Sequence, residues 1–358
     1  MKRTKTSCKL LCGLVAAAMI MLTSCSARTD TPKTAADGAA SEKHESQVFA
    51  MDTVMMLTAY GENGPEALDR AEEVIYALEE DLDPVNPAGS IYAINAGAGS
   101  YVPVSENCIE VMLTAMDKWG ETGGAVDPGL FPIIKAWGFT LGEYRVPGQT
   151  EINGLLADKN TEGILVDEKS GSVYIPQRME ISLGAVGKGY TAQKALEAMA
   201  AAGVESAIVS LGGNVQTLGD TKPNGAQWQV AVTDPNDTGA YVGILSIGEA
   251  AVVTSGGYQR YFEQDGVTYI HIIDPETGYP VDNDLLSITV VTADGAEADA
   301  LSTSLFVMGA EGALEHYRTV GGFELVLITE ENEVIVTPGL ADCFEERGGG
   351  YVYEYLTE

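Results

Sequence analysis

Segments with helical spacing of apolar residues alternate with short β-rich runs along most of this chain. In residues 65–82, apolar side chains such as Leu68, Ile75 and Leu78 recur every three or four positions, which predicts an amphipathic helix. Further helices are predicted over residues 105–120, 187–202, 298–308 and 311–317, and strands over 48–60, 206–211, 285–292, 324–328 and 333–336, with a hairpin in 161–176 and short strands in 228–273. This pattern indicates an α+β fold with helices packed on largely antiparallel sheet.

The N-terminus carries the features of a secretory signal. Lysines and an arginine precede an apolar run over residues 10–22, which is shorter than the roughly 20 residues that a membrane span needs. The run ends in Leu22-Thr23-Ser24-Cys25, which resembles a bacterial lipobox. We therefore predict a lipoprotein signal peptide over residues 1–24 and an acylated Cys25 that anchors the protein to an extracytoplasmic membrane face. An ordinary signal peptide with a chance cysteine is the alternative.

The residues after the signal have no apolar periodicity. Residues 25–46 are rich in Thr, Ala, Ser and charged residues, which predicts a flexible tether. Residues 47–358 are then the folded part, long enough for one large core or for two subdomains. Only Cys108 and Cys343 remain in it, and two cysteines could form at most one disulfide and no metal site.

The net charge limits the partners of the chain. Its formal charge is −32, and loss of four cations with the signal would leave about −36. Such a surface repels nucleic acid. An anionic ligand could bind only where backbone amides, a few cations or a metal ion reverse the local sign.

Several segments could supply that reversal. The loop Ser182-Leu-Gly-Ala185-Val-Gly-Lys188-Gly189-Tyr190 precedes a predicted helix, so its amides and Lys188 favour phosphate, although a packing turn would look the same. Likewise, Ala125-Val126-Asp127 before Pro-Gly and the pair Gly212-Gly213 suit either a turn or a close approach to a ligand.

Two segments further along combine reactive groups. Residues 254–261 bring Ser255, Gly256, Arg260 and two tyrosines together, and an amphipathic strand is the alternative. In His271-Ile272-Ile-Asp-Pro-Glu-Thr-Gly the last residues favour a type I turn, and the histidine three residues before the acid suggests catalysis or a structural role.

Asp299 and Thr303 are four residues apart in a predicted helix, so their oxygens share one face. A carboxylate and a hydroxyl so placed suit a hard cation such as Mg²⁺. Alternatively, Asp299 caps the helix and Thr303 bonds back to the helix backbone.

The order and spacing of these motifs resemble the FAD:protein FMN transferase (ApbE-type flavin transferase) family from about Met51 to Gly309. The shared motifs are Met51-x-Thr, Ser90-x4-Asn95, Val126-Asp-Pro, Gly184-x2-Gly-Lys-Gly-Tyr190, Ser210-Leu-Gly-Gly-Asn214, Thr254-Ser-Gly256, His271-Ile-Ile-Asp-Pro-x-Thr-Gly278 and Asp299-Ala-Leu-Ser-Thr303.

The resemblance implies a T-fold-like α+β unit with mixed, largely antiparallel sheets flanked by helices. It also implies an enzyme that transfers FMN from FAD to a threonine or serine hydroxyl of an acceptor protein, with Mg²⁺ on the pyrophosphate and AMP as leaving group. The implied acceptors are subunits of membrane redox pumps or secreted reductases with FMN domains. Their usual motif is Asp, small, x, Thr or Ser, small, Ala, then Ser or Thr.

Site residues follow from the resemblance by position. The implied metal ligands are Ala185 through its carbonyl, Asp299 and Thr303. The implied flavin contacts are Met51, Ala125, Val126, Asp127, Ser182, Lys188, His271 and Ile272, with Gly212, Gly213, Ser255 and Gly256 lining the same pocket. His271 and Asp299 are the catalytic candidates. The chain departs from the family in having Ser182 where Asp is common, and no aromatic residue near Val85.

Two other functions fit the same motifs. One is an Mg²⁺-dependent FAD pyrophosphatase that yields FMN and AMP. The other is a lipid-anchored protein that binds flavin without reacting with it.

Overall fold

The computed structural model describes residues 42–357, which are organised around a nine-stranded sheet. The strands are β1 Lys43–Ala50, β2 Thr53–Tyr60, β3 Tyr101–Pro103, β4 Leu165–Asp167, β5 Ser172–Tyr174, β6 Ala207–Leu211, β7 Asn214–Leu218, β8 Trp228–Asp234, β9 Asp237–Ile247, β10 Ala251–Gly256, β11 Tyr261–Gln264, β12 Val267–Ile270, β13 Leu285–Thr292, β14 Glu324–Thr329, β15 Glu333–Val336, β16 Phe344–Glu346 and β17 Val352–Tyr355. The helices are α1 Gly64–Leu82, α2 Ser90–Ala96, α3 Glu106–Glu121, α4 Phe131–Trp137, α5 Gln149–Asp158, α6 Gly187–Ala201 and α7 Gly295–Thr319.

The main sheet has the order β1-β2-β6-β7-β10-β13-β14-β15-β17. Its neighbours are antiparallel except β15 and β17, which are parallel. Three smaller sheets accompany it, with the orders β16-β9-β8, β3-β5-β4 and β11-β12. The prediction of an α+β fold with mixed, largely antiparallel sheets flanked by helices is confirmed.

The two faces of the main sheet are covered differently. Helices α1 and α6 pack on the β1, β2 and β6 end of one face, and α7 packs on β10, β13 and β14 of the same face. The small sheet β16-β9-β8 covers the other face through a core that includes Trp228 and Val230. Alternation along each strand produces this arrangement, because successive side chains point to opposite faces.

The first predicted strand is wrong. Residues 48–60 are not one strand but the end of β1, a turn and β2, and in this hairpin Phe49 pairs with Val54. Met51 and Asp52 form that turn with φ of 50° and 60°. Because neither is a glycine, the sequence offered no turn signal. Strand β1 also begins at Lys43, so residues 43–46, which were predicted as part of the tether, belong to the folded part.

The two helices predicted over residues 298–308 and 311–317 form one kinked helix, α7, in the structure. Helix α7 begins at Gly295, where Asp294 accepts a hydrogen bond from the amide of Glu297 and caps it. Asp299 therefore lies inside the helix, and its interpretation as the cap is wrong. The predicted break between residues 308 and 311 is confirmed as a kink at Gly309, whose φ is 74°.

Three remaining points concern the cysteines, membrane-spanning helices and the N-terminal residues. Cys108 and Cys343 are both free thiols, so the one disulfide that the sequence allowed is absent from residues 42–357. Within those residues no helix combines the length and hydropathy needed to cross a bilayer. The predicted signal peptide, Cys25 and residues 25–41 of the tether lie outside the described residues.

Candidate active site at the contact between α6 and α7

Helix α6 begins in a tight loop, and the side chain of its N-cap residue, Val186, makes no hydrogen bond to the helix. The amides of Val186 and Gly187 both donate to the carbonyl of Leu183, at 3.0 and 2.8 Å. Lys188, in the first turn, points its Nζ toward the carbonyl of Gly184 at 3.5 Å. A helix N-terminus with an adjacent lysine carries positive potential and is suited to phosphate.

Gly189 brings α6 and α7 into direct contact. Its amide donates to Oδ2 of Asp299 at 2.9 Å, and its carbonyl accepts from Nε2 of Gln216 at 2.8 Å. A Cβ at this position would lie 1.9 Å from the carbonyl oxygen of Gly295, so only glycine allows this approach. Asp299, which is 4% exposed, is thus fixed by a partner 110 positions away in sequence.

Three oxygens beside this contact have no partner within residues 42–357. The amide of Gly189 would bond to the carbonyl of Ala185 in a regular first turn, but it bonds to Asp299 instead. Among the described residues the Ala185 carbonyl receives no hydrogen bond, and the second carboxylate oxygen of Asp299 receives none either.

The third oxygen without a partner among the described residues is the hydroxyl of Thr303. Its neighbours Ser302 and Ser304 bond back to the carbonyls of Asp299 and Ala300, at 3.0 and 2.7 Å. Thr303 is half-buried and makes no such bond within the described residues, so its interpretation as a back-bonded threonine is wrong. A carboxylate, a carbonyl and a hydroxyl are the oxygen ligands that Mg²⁺ prefers. The donor set therefore fits a hard cation.

A buried polar atom nearby is also unsatisfied. Asn214 is 1% exposed and its Oδ1 has no hydrogen-bond partner within the described residues. It lies two residues before Gln216 on β7, so both side chains point to the face that α6 covers. Since buried polar groups are almost always bonded, this atom indicates a place for an ion, a water or a ligand group.

His271 is held as a neutral imidazole. Its Nδ1 lies 3.1 Å from the carbonyl of Arg260, and a carbonyl can only accept, so Nδ1 carries the proton and Nε2 has a lone pair. Burial, together with the positive charges of Lys188 and Arg260, lowers the pKa of His271 to about 4. The ring therefore stays uncharged at neutral pH, with the lone pair of Nε2 available as a hydrogen-bond acceptor.

Asp127 joins two of the predicted ligand segments. Its Oδ1 accepts from the amide of Gly129 and the hydroxyl of Thr161, and its Oδ2 accepts from Nζ of Lys159 at 2.8 Å. The same Nζ donates to the carbonyl of Pro275 at 2.9 Å. With these partners the carboxylate holds the two segments together beside Thr161.

A cavity of about 280 Å³ lies beside Asp127. It is lined by Trp119, Gly123, Gly124, Asp127, Lys159, Asn160, Thr161, Glu162, Pro275 and Glu276. Sequence analysis missed Trp119 and Lys159. Lys159 had no signal, but Trp119 stands in the last turn of α3 just before Gly123-Gly124, and a half-exposed tryptophan there could have been noted.

Of the remaining predicted ligand residues, two serines make polar contacts, whereas the side chains of Val126 and Ile272 are buried. Ser182 is close to the Asp127 segment, since its amide donates to the carbonyl of Pro128 at 2.9 Å. Ser255 reaches α7 through a 2.9 Å contact between its hydroxyl and that of Ser302. Val126 and Ile272 are 4% and 6% exposed, so their side chains are buried in the protein.

Four glycine or turn positions lie together at one end of the main sheet. Gly212 and Gly213 form the β6–β7 turn with φ of 58° and 103°, and Gly256 ends β10 beside them. Met51 stands in the β1–β2 turn at the same end, where a Cβ on Gly212 would contact Thr53. The amide of Met51 donates to Oε1 of Glu79 at 2.6 Å. The last predicted ligand residue, Ala125, is half-buried.

The chain is similar to known proteins over most of its length. The model of the ApbE family matches residues 51–327. A FAD:protein FMN transferase of Klebsiella pneumoniae is 33% identical over 316 residues, covering 86% of this chain and 97% of the relative. One of Treponema pallidum is 30% identical over 325 residues, covering 86% and 90%.

A solved structure shares the fold. The crystal structure of the ApbE protein of Thermotoga maritima superposes with a TM-score of 0.75 at 28% identity, covering 85% of this chain and 97% of that one. The family match spans every motif from Met51 to Thr303, including the contact between α6 and α7. The chain belongs to the ApbE family.

Proposed function

We propose that this protein transfers FMN from FAD to a hydroxyl group of an acceptor protein and releases AMP. The proposal is supported by relatives that carry this activity in their names over most of the chain. The observation that carries it is the contact of Gly189 with Asp299, beside which three oxygens of the described residues lack partners near a helix N-terminus and Lys188. Such a site has the groups that a pyrophosphate requires in an acidic protein.

We propose that Ala185, Asp299 and Thr303 would hold Mg²⁺. When bound, this ion would offset the charge of the pyrophosphate and of the leaving phosphate. The amide of Lys188, which donates to no acceptor within residues 42–357, and its Nζ would bind phosphate oxygens directly. Glycine at position 189 lets Asp299 come close to the α6 N-terminus without blocking it.

The cavity beside Asp127 would hold one flat ring of FAD. Trp119 is half-exposed there and its indole would stack on a ring, which replaces the aromatic residue that the chain lacks near Val85. Lys159 keeps both walls together through Asp127 and the carbonyl of Pro275. The site would thus extend from this cavity to the N-terminus of α6.

His271 would accept the proton of the incoming hydroxyl. The hydroxyl oxygen attacks the phosphorus on the riboflavin side, the bond from that phosphorus to the bridging oxygen breaks, and AMP leaves with that oxygen. The proton passes to Nε2 of His271, because Nδ1 is already protonated and bonded to Arg260. The ring then returns the proton to solvent.

The experiment needs an acceptor, for which we would use a carrier protein with an exposed tail that contains the threonine motif given above (the acceptor tail). Wild-type protein with FAD and Mg²⁺ should add one FMN to the tail by mass spectrometry and release AMP in equal amount. The tail with its threonine replaced by valine should stay unmodified. Free FMN in place of modified tail would identify a pyrophosphatase instead.

Asp299→Asn tests the site. The side-chain oxygen of the substituted amide can still accept from Gly189, so the fold should persist while affinity for Mg²⁺ and the transfer rate fall by about a hundredfold or more. FAD bound without any release of AMP in the wild type would instead indicate a flavin-binding protein. Full activity in chelator, or in the variant, would contradict the metal assignment.

We also propose that the protein is a lipoprotein anchored on an extracytoplasmic membrane face through Cys25. The support is the order of basic residues, apolar run and Leu22-Thr-Ser-Cys25. Mass spectrometry of the N-terminal peptide should find acylated Cys25, and Cys25→Ser should release the protein from membranes. An unmodified, membrane-free wild type would reject this proposal.

A further inference from the structure

A second cavity, of about 430 Å³, lies on the face of the main sheet that α6 and α7 do not cover. It is a groove between this face and strand β8. Its polar lining residues include Ser210, Gln229, Thr233, Thr254 and Gln259. The proposed reaction, as described above, does not use it.

One wall of the groove is a strand edge. Strand β8 is the last strand of the sheet β16-β9-β8, and its far edge pairs with no other strand among residues 42–357. The consecutive residues 229–231 all line the groove, so the strand presents its backbone there. An unpaired edge recognises an extended polypeptide, because only a polypeptide matches its row of amides and carbonyls.

The lining carries no formal charge. None of its twelve residues is an Asp, Glu, Lys or Arg, in a chain whose net charge is −32. A phosphate would find no cation in the groove. Gln229, Gln259 and Thr233 instead offer neutral hydrogen-bonding groups, which suit the side chains and backbone of a polar, uncharged segment.

The floor of the groove continues onto an exposed apolar surface. Met56 pairs with Ser210, which pairs with Val215, so one cross-strand row leads from the groove to β2. Beyond it Phe49, Val54 and Met56 are 67%, 47% and 46% exposed on the same face. Three adjoining exposed apolar side chains next to an unpaired strand edge are typical of a protein-binding surface.

The groove ends where the candidate active site begins. Gly213 and Thr254 line it, and the β6–β7 turn lies at the end of the sheet that also holds Met51 and Gly256. The residue after Thr254, Ser255, points to the opposite face and contacts Ser302 of α7. A chain that runs along the groove toward this turn would therefore deliver its next residues to the site.

We infer that the groove binds the acceptor protein, whose flavin-accepting segment pairs as an added strand with β8 over the apolar surface of Phe49, Val54 and Met56. This inference rests on the proposed function and names where its protein substrate binds. The binding energy comes from main-chain hydrogen bonds to β8 and burial of the apolar surface. The acceptor hydroxyl follows the paired segment past Gly213 to the active site.

The test uses Met56→Glu and Ala231→Glu, which place a charge on the exposed apolar surface and on the wall of the groove. Each should lower kcat/KM for the acceptor tail by about tenfold or more through KM, while FAD binding changes less than twofold. Val352→Glu is the matched control, since Val352 is 65% exposed on β17 at the other edge of the main sheet. It should leave both quantities unchanged.

A second measurement does not depend on turnover. Full-length protein with a benzophenone amino acid at position 231 should crosslink to the acceptor tail with or without FAD, and the amides of β8 should exchange more slowly when the tail is present. Unchanged KM in both glutamate variants, together with no crosslink, would overturn the inference while leaving the proposed function intact. Loss of FAD binding in both variants would assign the groove to the flavin and overturn it too. A crosslink without any transfer would contradict only the proposed function.

Discussion

The amide of Gly189 donates to the carboxylate of Asp299 across the junction of α6 and α7, at 2.9 Å. The consequence is that the size of residue 189 controls the position of Asp299. A Cβ there would lie 1.9 Å from the Gly295 carbonyl oxygen and 2.7 Å from Cβ of Asp299. The two helices would have to separate.

Gly189→Ala should therefore abolish transfer and lower the free energy of unfolding by about 1–3 kcal/mol. Chemical denaturation and the transfer assay measure the two effects. Gly154→Ala is the control, because Gly154 is exposed in α5 with no atom near its Cβ position. That change should raise stability by about 0.5–1 kcal/mol. A fully active Gly189→Ala protein would show that the close approach is not required.

The hydroxyls of Thr303 and Ser304 should have opposite effects when removed. Thr303→Val deletes a hydroxyl that makes no hydrogen bond among the described residues, so stability should change by less than about 0.5 kcal/mol, while Mg²⁺ affinity and transfer fall about tenfold. Ser304→Ala deletes the 2.7 Å bond to Ala300 and should cost about 1 kcal/mol without affecting transfer. Titration calorimetry with Mg²⁺ and denaturation distinguish them, and equal Mg²⁺ affinity in both variants would remove Thr303 from the site.

The pH dependence of His271 has a definite sign. Its pKa in the folded protein is about 4, mainly through burial, below the usual 6.5 of the unfolded chain. The neutral base is therefore present throughout the range from about pH 5 to pH 8, and transfer should lose this base only as pH falls toward 4. NMR titration of the ring in the protein without FAD should find this low pKa.

The same shift affects stability. Above pH 6.5 both states hold His271 neutral, and between 6.5 and about 4 the unfolded state binds the proton first, so this residue lowers stability as pH falls through that range. His271→Gln should remove its part of that dependence and, by leaving no base, slow transfer while FAD still binds. A pKa near the usual 6.5, or a rate in the variant equal to that of the wild type, would exclude the proposed role.

The two thiols of the fold should react at different rates. Cys108 is completely buried and burial raises its pKa to about 12, whereas Cys343 is half-buried. Iodoacetamide should modify Cys343 in the native protein and Cys108 only after unfolding, because the thiolate is the reactive form. Peptide mass spectrometry assigns each site, and a linked pair in the untreated protein would contradict the structure.

The local pattern of the chain was enough for most elements of the fold. Helix α1, strand β13 and the hairpin of β4 and β5 follow from the spacing of apolar residues and from glycine at position 171, whose φ is 61°. The hairpin at Met51 was not predictable, because left-handed turn residues other than glycine have no distinctive pattern. Strands β3 and β16 also escaped, since three residues are too few to show a period.

The sequence by itself determined the family, through motifs whose order survives at 33% identity, and it placed Asp299 and Thr303 on one helix. Only the tertiary structure decided which atoms of those motifs are available: Asp127 is saturated by Lys159 and Thr161, while Asp299 keeps an oxygen because Gly189 occupies just one. The physical reason is that periodicity reports burial along one element, whereas hydrogen-bond partners 110 residues apart are chosen by packing. The groove along β8 was invisible for the same reason, because a strand edge is free or paired only in the assembled sheet.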